Sequence, residues 1–454
     1  MSLESGELRL DAAGLTYRFS RTLMGGVDLA ALRSLPLAAT AEAFAALIKS
    51  GETKGMSEDV WWPRLGDDAG NGQASLDAAQ AWGEAARSAD LVISVGIGGS
   101  YLGNRVLRDV LFGTRAQALP REIRGGPVLH FAGQHLDPLE ARQLLELVKA
   151  QAPKRVALLA ISKSGTTTET LATTLSLLES LTSAGFPPEF AALTAPGSIL
   201  AELVDESGGT LIPFPEGIGG RWSVLTSVGI ATAAATGVDT AALLQGAKDT
   251  RDALLAAAPE DNPALIYAAL HHLHAQGGRR GAVFMPYSER LRSISDWYVQ
   301  LLAESLGKAQ DRSGATVNAG RTPIVAVGTT DMHAQTQLHQ GGPHDKTVTT
   351  LDVLDWGQST NADRVPERAA AGKLAGKRFA ELNTLAREAN EEALASDGRP
   401  SDAWLLDRID ARTLGGLLYA LMATVAYEGE LLDVCAYDQP GVEAYKSIMR
   451  ARLP

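Results

Sequence analysis

Arg155 to Thr170 reads RVALLAISKSGTTTET. RVALLAIS is a near-continuous apolar run of strand length, the pattern of a parallel strand buried on both faces. The run stops at Ser162-Lys163-Ser164-Gly165, and after Thr166, Thr167 and Thr168 the apolar positions Leu171, Leu175 and Leu178 take up a helical spacing. A strand that feeds a hydroxyl-rich turn into a helix N-terminus is a natural anion site. Free backbone N–H groups, hydroxyl donors and the positive end of the helix dipole converge on one point. The pattern predicts a cradle for a phosphate ester. A helix cap rich in Ser and Thr that binds nothing accounts for the same residues.

A second unit of this kind lies upstream. The apolar run DLVISV is followed at once by Gly96-Ile97-Gly98-Gly99-Ser100, with a helix expected from about Tyr101. Glycines let the backbone approach a ligand closely, and Ser100 adds a hydroxyl at the helix start. GxGGS lacks the spacing of a dinucleotide fingerprint, and no acidic residue follows at the expected place. Loops at the carboxyl ends of parallel strands face one crevice, so the two turns reinforce each other.

Further strands are expected in GPVLHFAG, EFAALTA and GTLIPFPE, with a helix in LDPLEARQLLELVKA. The alternation of strand and helix predicts an α/β fold with a doubly wound, mainly parallel sheet. A second α/β block follows, with strands in GAVFMPYS, TPIVAVGT and KTVTTLDV between helical stretches. The expected division is an N-terminal extension over 1–85 and a first α/β domain over 86–238 that holds the cradle. A second α/β domain follows over 239–400, then a C-terminal helical segment over 401–454. Within the extension, GELRLDAAGLTYRFS suggests a short hairpin, AATAEAFAALIKSG a helix closed by Gly51, and Trp61-Trp62-Pro63 a packing anchor.

At 454 residues the chain is too long for one compact core. Its formal charge of -12 argues against nucleic acid as the main partner. Cys435 is the single cysteine, which excludes an intramolecular disulfide and a cysteine-based metal cluster and fits a reducing cytoplasm. The polar, acidic start MSLESGELRL is unlike a secretory signal, and no apolar run is long enough to span a bilayer.

Four residues stand out for chemistry. Glu304 and Gln300 share one face of the helix SDWYVQLLAESLGK, beside an apolar side made by Trp297, Leu301, Leu302 and Ser305. A carboxylate against such a surface can act as a general base; a solvated helix glutamate has the same spacing. Arg221 follows two glycines in Gly217-Ile218-Gly219-Gly220-Arg221-Trp222-Ser223 and can present its guanidinium to an oxyanion, or bridge a loop to a carboxylate. His333 is expected at the start of a helix capped by Thr330 or Asp331, where a neutral ring is favoured. Its spacing to His339 matches no standard metal pattern, so no metal is expected. Lys446 falls on one side of a final helix with Gln439 and Glu443, a pairing equally suited to a plain surface.

GIGGRWSVLTSVG and GELLDVCAYDQPGVEAYK look like the two signature stretches of the glucose-6-phosphate isomerase family. The resemblance extends to GIGGS, SKSGTTTET, QLLAESLGK and DMHAQTQLHQGG, in the family's order, and covers about Gly96 to Lys446. It implies two sugar-isomerase (SIS) α/β/α domains, a homodimer, a sugar phosphate substrate and no cofactor. It also implies interconversion of glucose 6-phosphate and fructose 6-phosphate. By motif, Ser100, Ser162, Lys163, Ser164 and Thr167 would hold the phosphate, with Gly99 lining the approach. Glu304 would be the base between C1 and C2, and Arg221 would stabilise the enediolate. His333, from the partner subunit, and Lys446 would assist ring opening, while Gln300 and Gln439 would contact the substrate. A bifunctional phosphoglucose/phosphomannose isomerase uses similar groups. A sugar-phosphate sensor built on SIS domains would need only the cradle.

Overall fold

The computed structural model describes residues 2–4, 7–65 and 70–452. The chain forms two compact units, Val60–Leu244 and Met1–Asp59 together with Gln245–Pro454.

In the Val60–Leu244 unit, five strands form an all-parallel sheet. In spatial order they are Val128–Ala132, Leu91–Val95, Val156–Ile161, Glu189–Thr194 and Thr210–Pro213. The chain therefore moves one way from Leu91–Val95 and the other way from Val156–Ile161. That reversal creates a switch point, and the crevice outside the carboxyl ends of these two strands is where such sheets bind ligands. All six residues of Val156–Ile161 are buried, as its unbroken apolar run requires. Leu177 and Leu181 from the helix Thr168–Ser183, and Val148 from Pro138–Gln151, pack on Ile93, Leu158 and Ala160. The helix Gly72–Ala86 lies close against Ser227–Thr236. A Cβ on Gly83 would stand 2.5 Å from Ala234 Cβ, so only a glycine permits that approach. The tryptophan anchor is real: Trp62 is buried and stacks on Trp222 with ring centroids 4.7 Å apart.

The other unit is built on a seven-stranded sheet. Thr322–Val325, Gly281–Pro286, Lys346–Asp355 and Ser401–Arg408 are parallel neighbours in that order. Leu15–Arg18 adds to Ser401–Arg408 in antiparallel fashion, and Glu7–Ala12 pairs with Leu15–Arg18 in turn. The hairpin expected near the N-terminus is thus part of this sheet. Residues 401–408, where the sequence suggests the start of a helical segment, form a strand, because SDAWLLDR buries six successive positions between two partners. The helical part begins at Ala411–Leu431, whose residues from Thr413 to Gly429 are all buried. Leu37–Ser50, closed by Gly51 in the left-handed conformation, packs there, with Phe44 4.8 Å from Tyr427. Among the described residues, no helix is long and apolar enough to cross a membrane.

Several charges buried in this unit are paired. The Arg321 guanidinium donates to both carboxylate oxygens of Glu428, at 2.7 and 2.6 Å. Arg321 and Thr347 approach Nδ1 of His271, and Nε2 lies 2.8 Å from Asp402. An arginine can only donate, so Nδ1 accepts and the proton sits on Nε2, pointing to Asp402. Pairing on this scale offsets the cost of removing the charges from water.

His274 is buried on the helix Pro263–Gln276 and its Nε2 lies 2.9 Å from the Thr22 carbonyl. Burial pushes its pKa down to about 4. The folded state holds the neutral ring while the unfolded chain takes up a proton below about 6.5. Stability is therefore complete above that pH and declines as pH falls toward 4, by an amount on the order of 3 kcal/mol. Thermal unfolding followed from pH 7.5 to 4.5 should show this loss, and His274→Gln should show a shallower one. Equal slopes for the two proteins would exclude His274 as the source.

Candidate active site

Two of the turns singled out in the sequence leave the sheet side by side. Val95 is the register partner of Ala160, so the chain exits Leu91–Val95 and Val156–Ile161 at the switch point. The first exit passes through Gly98, with φ of 56°, into the helix Gly99–Phe112. The second passes through Gly165, with φ of 66°, into Thr168–Ser183. A Cβ on Gly165 would meet Ser198 Cβ at 2.5 Å, so the glycine is needed for both conformation and space.

Neither helix start is closed by a side chain. Thr167 occupies the N-cap position, yet its hydroxyl pairs with Ser162 Oγ at 3.0 Å and makes no capping bond. Ser164 Oγ instead accepts from the Thr166 amide at 3.3 Å. In the same unit Asp137, Ser198 and Thr226 do cap their helices through the side chain. The plain-cap explanation of the hydroxyl-rich turn therefore fails for Thr167. At the first helix the Ser100 and Tyr101 amides donate to the Ile97 and Gly98 carbonyls, at 3.1 and 3.0 Å, and Ser100 adds its hydroxyl. At the second, the first-turn amides have no side-chain cap, and Ser162, Ser164 and Thr167 stand around them with Lys163 exposed.

A third turn joins them. A Cβ on Gly99 would fall 2.0 Å from Gly220 O and 2.7 Å from Arg221 N, so the two backbones touch directly. Arg221 lies in the short turn Gly220–Trp222 and is 2 % exposed, with its guanidinium carbon 6.0 Å from the Trp222 ring centroid. Gly99, Ser100, Ser162, Lys163, Ser164, Thr167 and Arg221 all belong to the Val60–Leu244 unit.

The remaining candidates belong to the other unit. The helix Arg292–Leu306 buries Trp297, Leu301, Leu302 and Ser305 and leaves Gln300 and Glu304 on a partly open face. Gln300 Nε2 lies 3.4 Å from Glu304 Oε2, as the spacing of four implies. The Gln300 carbonyl oxygen is buried without a hydrogen-bond partner in the protein. Gln439 precedes the turn Pro440–Val442, with Pro440 at its first position, and leads into the helix Glu443–Arg452. Lys446 is half-exposed there and pairs with Glu443 at 3.0 Å.

One residue escaped the reading of the sequence. Lys308 Nζ donates to the backbone carbonyls of Glu304 and Asp438, at 2.6 and 2.9 Å, and so ties the end of the glutamate helix to the turn that presents Gln439. Its signal was a lysine four residues beyond a helical glutamate, near the negative end of the helix dipole.

His333 differs from expectation. It ends the short turn Thr330–His333 and stands ahead of the helix Thr336–Gly341, so it does not sit on a helix N-terminus. Neither expected cap acts as one: the Asp331 carboxylate accepts from the Val327 amide at 2.7 Å, bracing the loop instead. The His333 side chain is exposed. Among the described residues no group of three or more His, Cys, Asp or Glu is arranged to hold a metal ion.

The phosphoglucose isomerase family model matches residues 73–453. The chain is 37% identical over 367 residues to a glucose-6-phosphate isomerase of Carboxydothermus hydrogenoformans, covering 80% of this chain and 78% of that one. It is 37% identical over 390 residues to the enzyme of that name from Rubrobacter xylanophilus, covering 84% and 86%. The fold is shared with the crystal structure of a glucose-6-phosphate isomerase from Chlamydia trachomatis. That match has a TM-score of 0.80 at 22% identity and covers 98% of this chain and 90% of that one. With its paired glycine turns and both signature stretches inside the matched region, the chain belongs to the phosphoglucose isomerase family.

Proposed function

We propose that this protein interconverts glucose 6-phosphate and fructose 6-phosphate through an enediolate, with Glu304 as the base. The observation that carries the reading is the pair of helix N-termini at the switch point, both without a side-chain cap, the second ringed by hydroxyls. A dianionic phosphate suits such a place, because backbone amides and dipoles there need no reorganisation to receive it. Ser100, Ser162, Lys163, Ser164 and Thr167 bind the phosphate, and Gly99 keeps the approach open. Binding at this remote group holds the reactive end of a small sugar in place.

Isomerisation then follows from simple requirements. The ring opens when the anomeric hydroxyl loses a proton and the ring oxygen gains one; Lys446 and His333 of the partner subunit handle these transfers. His333 lies on an exposed turn, which supports its use across a homodimer interface. Glu304 removes the proton alpha to the carbonyl and returns it to the neighbouring carbon. Negative charge gathers on the two oxygens of the enediolate, and Arg221 meets it with a cation that does not titrate. Gln300 and Gln439 orient the hydroxyls of the open chain, and the unpaired Gln300 carbonyl supports that role. No redox group or nucleotide is needed.

A coupled assay of the purified protein with fructose 6-phosphate and mannose 6-phosphate in parallel tests the reading. Turnover of fructose 6-phosphate is expected. A protein that binds the sugar phosphate without turnover would be a sensor instead, and equal turnover of both substrates would make it bifunctional. Glu304→Gln should bind substrate normally but lose roughly 100-fold or more in kcat; activity near that of the unaltered protein would remove Glu304 as the base. Ser162→Ala combined with Thr167→Ala should raise KM by roughly 10-fold or more, since hydrogen bonds to a charged phosphate are lost. An unchanged KM would move the phosphate elsewhere.

A further inference from the structure

Lys308 is 6 % exposed, and no step of the reaction proposed above uses it. A buried ammonium is costly unless its three N–H donors are met. Here the ammonium donates to the Glu304 carbonyl at 2.6 Å and the Asp438 carbonyl at 2.9 Å, and the Asp438 carboxylate lies 3.3 Å away as an ion pair. The Glu304 carbonyl is among the last four of the helix Arg292–Leu306, which lack partners within the helix, and a cation is favoured at that end. Closing the helix would need only the first of these contacts, and an exposed lysine would suffice for it. The other two reach a segment 130 residues away, immediately before Gln439.

We propose that Lys308 is a positioning residue for proton transfer. Its ammonium clamps the backbone of Glu304 to the Asp438–Gln439 turn, so that the carboxylate and the Gln439 amide meet the open-chain sugar in one fixed register. The inference rests on Glu304 being the base. Misplacement of a base by about an ångström can cost roughly 100-fold in rate, so a clamp on its backbone has kinetic weight even though it touches no reacting atom.

The test compares Lys308→Met, Lys308→Arg and Glu304→Gln in the whole chain, with kcat and KM for fructose 6-phosphate. It adds competitive inhibition by glucitol 6-phosphate, which carries the phosphate but no carbonyl. Lys308→Met is expected to lower kcat by roughly 10- to 100-fold, leaving KM and the glucitol 6-phosphate inhibition constant within about threefold. Ethylammonium added to Lys308→Ala should restore part of the rate in a saturable way, which a general loss of packing would not allow. Lys308→Arg keeps the buried charge but moves its donors away from the two carbonyls, and should lower kcat by about threefold or more with KM unchanged; it serves as the readout where Lys308→Met does not fold. Unaltered kcat in Lys308→Met, or in Lys308→Arg where it stands in, while Glu304→Gln is inactive overturns the clamp alone. An active Glu304→Gln overturns the base assignment and the clamp with it.

Discussion

Gly99 and Gly220 bring two stretches of backbone into direct contact, with no side chain between them. A single added methyl at Gly99 would sit 2.0 Å from Gly220 O, well inside the distance any real carbon tolerates. That contact decides where the helix Gly99–Phe112 begins and where the Arg221 turn lies. The parallel sheet decides the rest: adjacent strands in register deliver the turns after Val95 and Ile161 to the same end. Once these backbones are packed, two helix starts stand at one end of the sheet without a side-chain cap, and that of Thr168–Ser183 suits an anionic oxygen as acceptor. The Ser162–Thr167 pairing then acquires a purpose, since a hydroxyl engaged sideways leaves the helix amides available.

The second unit solves a different physical problem. It buries many charges, and each must be matched. Arg321 with Glu428, and Arg387 with Asp352 and Glu391, are nearly inaccessible pairs with short contacts. Such pairs add little net stability over apolar packing but penalise any arrangement that leaves one charge alone. Lys308 is likewise a buried charge with close partners, but these are backbone carbonyls beside residues assigned to the reaction. Rigid placement of a carboxylate and an amide from distant parts of the chain is what proton transfer between neighbouring carbons demands.

The parallel strands of the two sheets follow one order. Numbered along the chain within each unit, the first strand lies between the second and third, and the fourth lies beyond the third. Only the Val60–Leu244 unit pairs this order with glycine-rich turns at its switch point. The other unit uses the N-terminal hairpin to cover the open side of Ser401–Arg408, which would otherwise present an unpaired edge. Similar scaffolds thus carry different chemistry because their connecting turns differ.

The amino-acid sequence by itself determined the α/β alternation, the buried strand at Val156–Ile161, the two glycine and serine turns, and the Gln300–Glu304 face. These are local: an apolar run, a glycine with positive φ and a spacing of four each act within a few residues. It also carried the family resemblance, because the signature stretches are long and contiguous. Only the tertiary structure decided that Ser401–Arg408 is a strand, since SDAWLLDR becomes one through its neighbours Lys346–Asp355 and Leu15–Arg18. Only it showed that Thr167 turns its hydroxyl toward Ser162, that His333 closes a short turn, and that Lys308 reaches Asp438. Each of these depends on a partner or a backbone path set by packing over many residues, and no local pattern encodes where such a partner will stand.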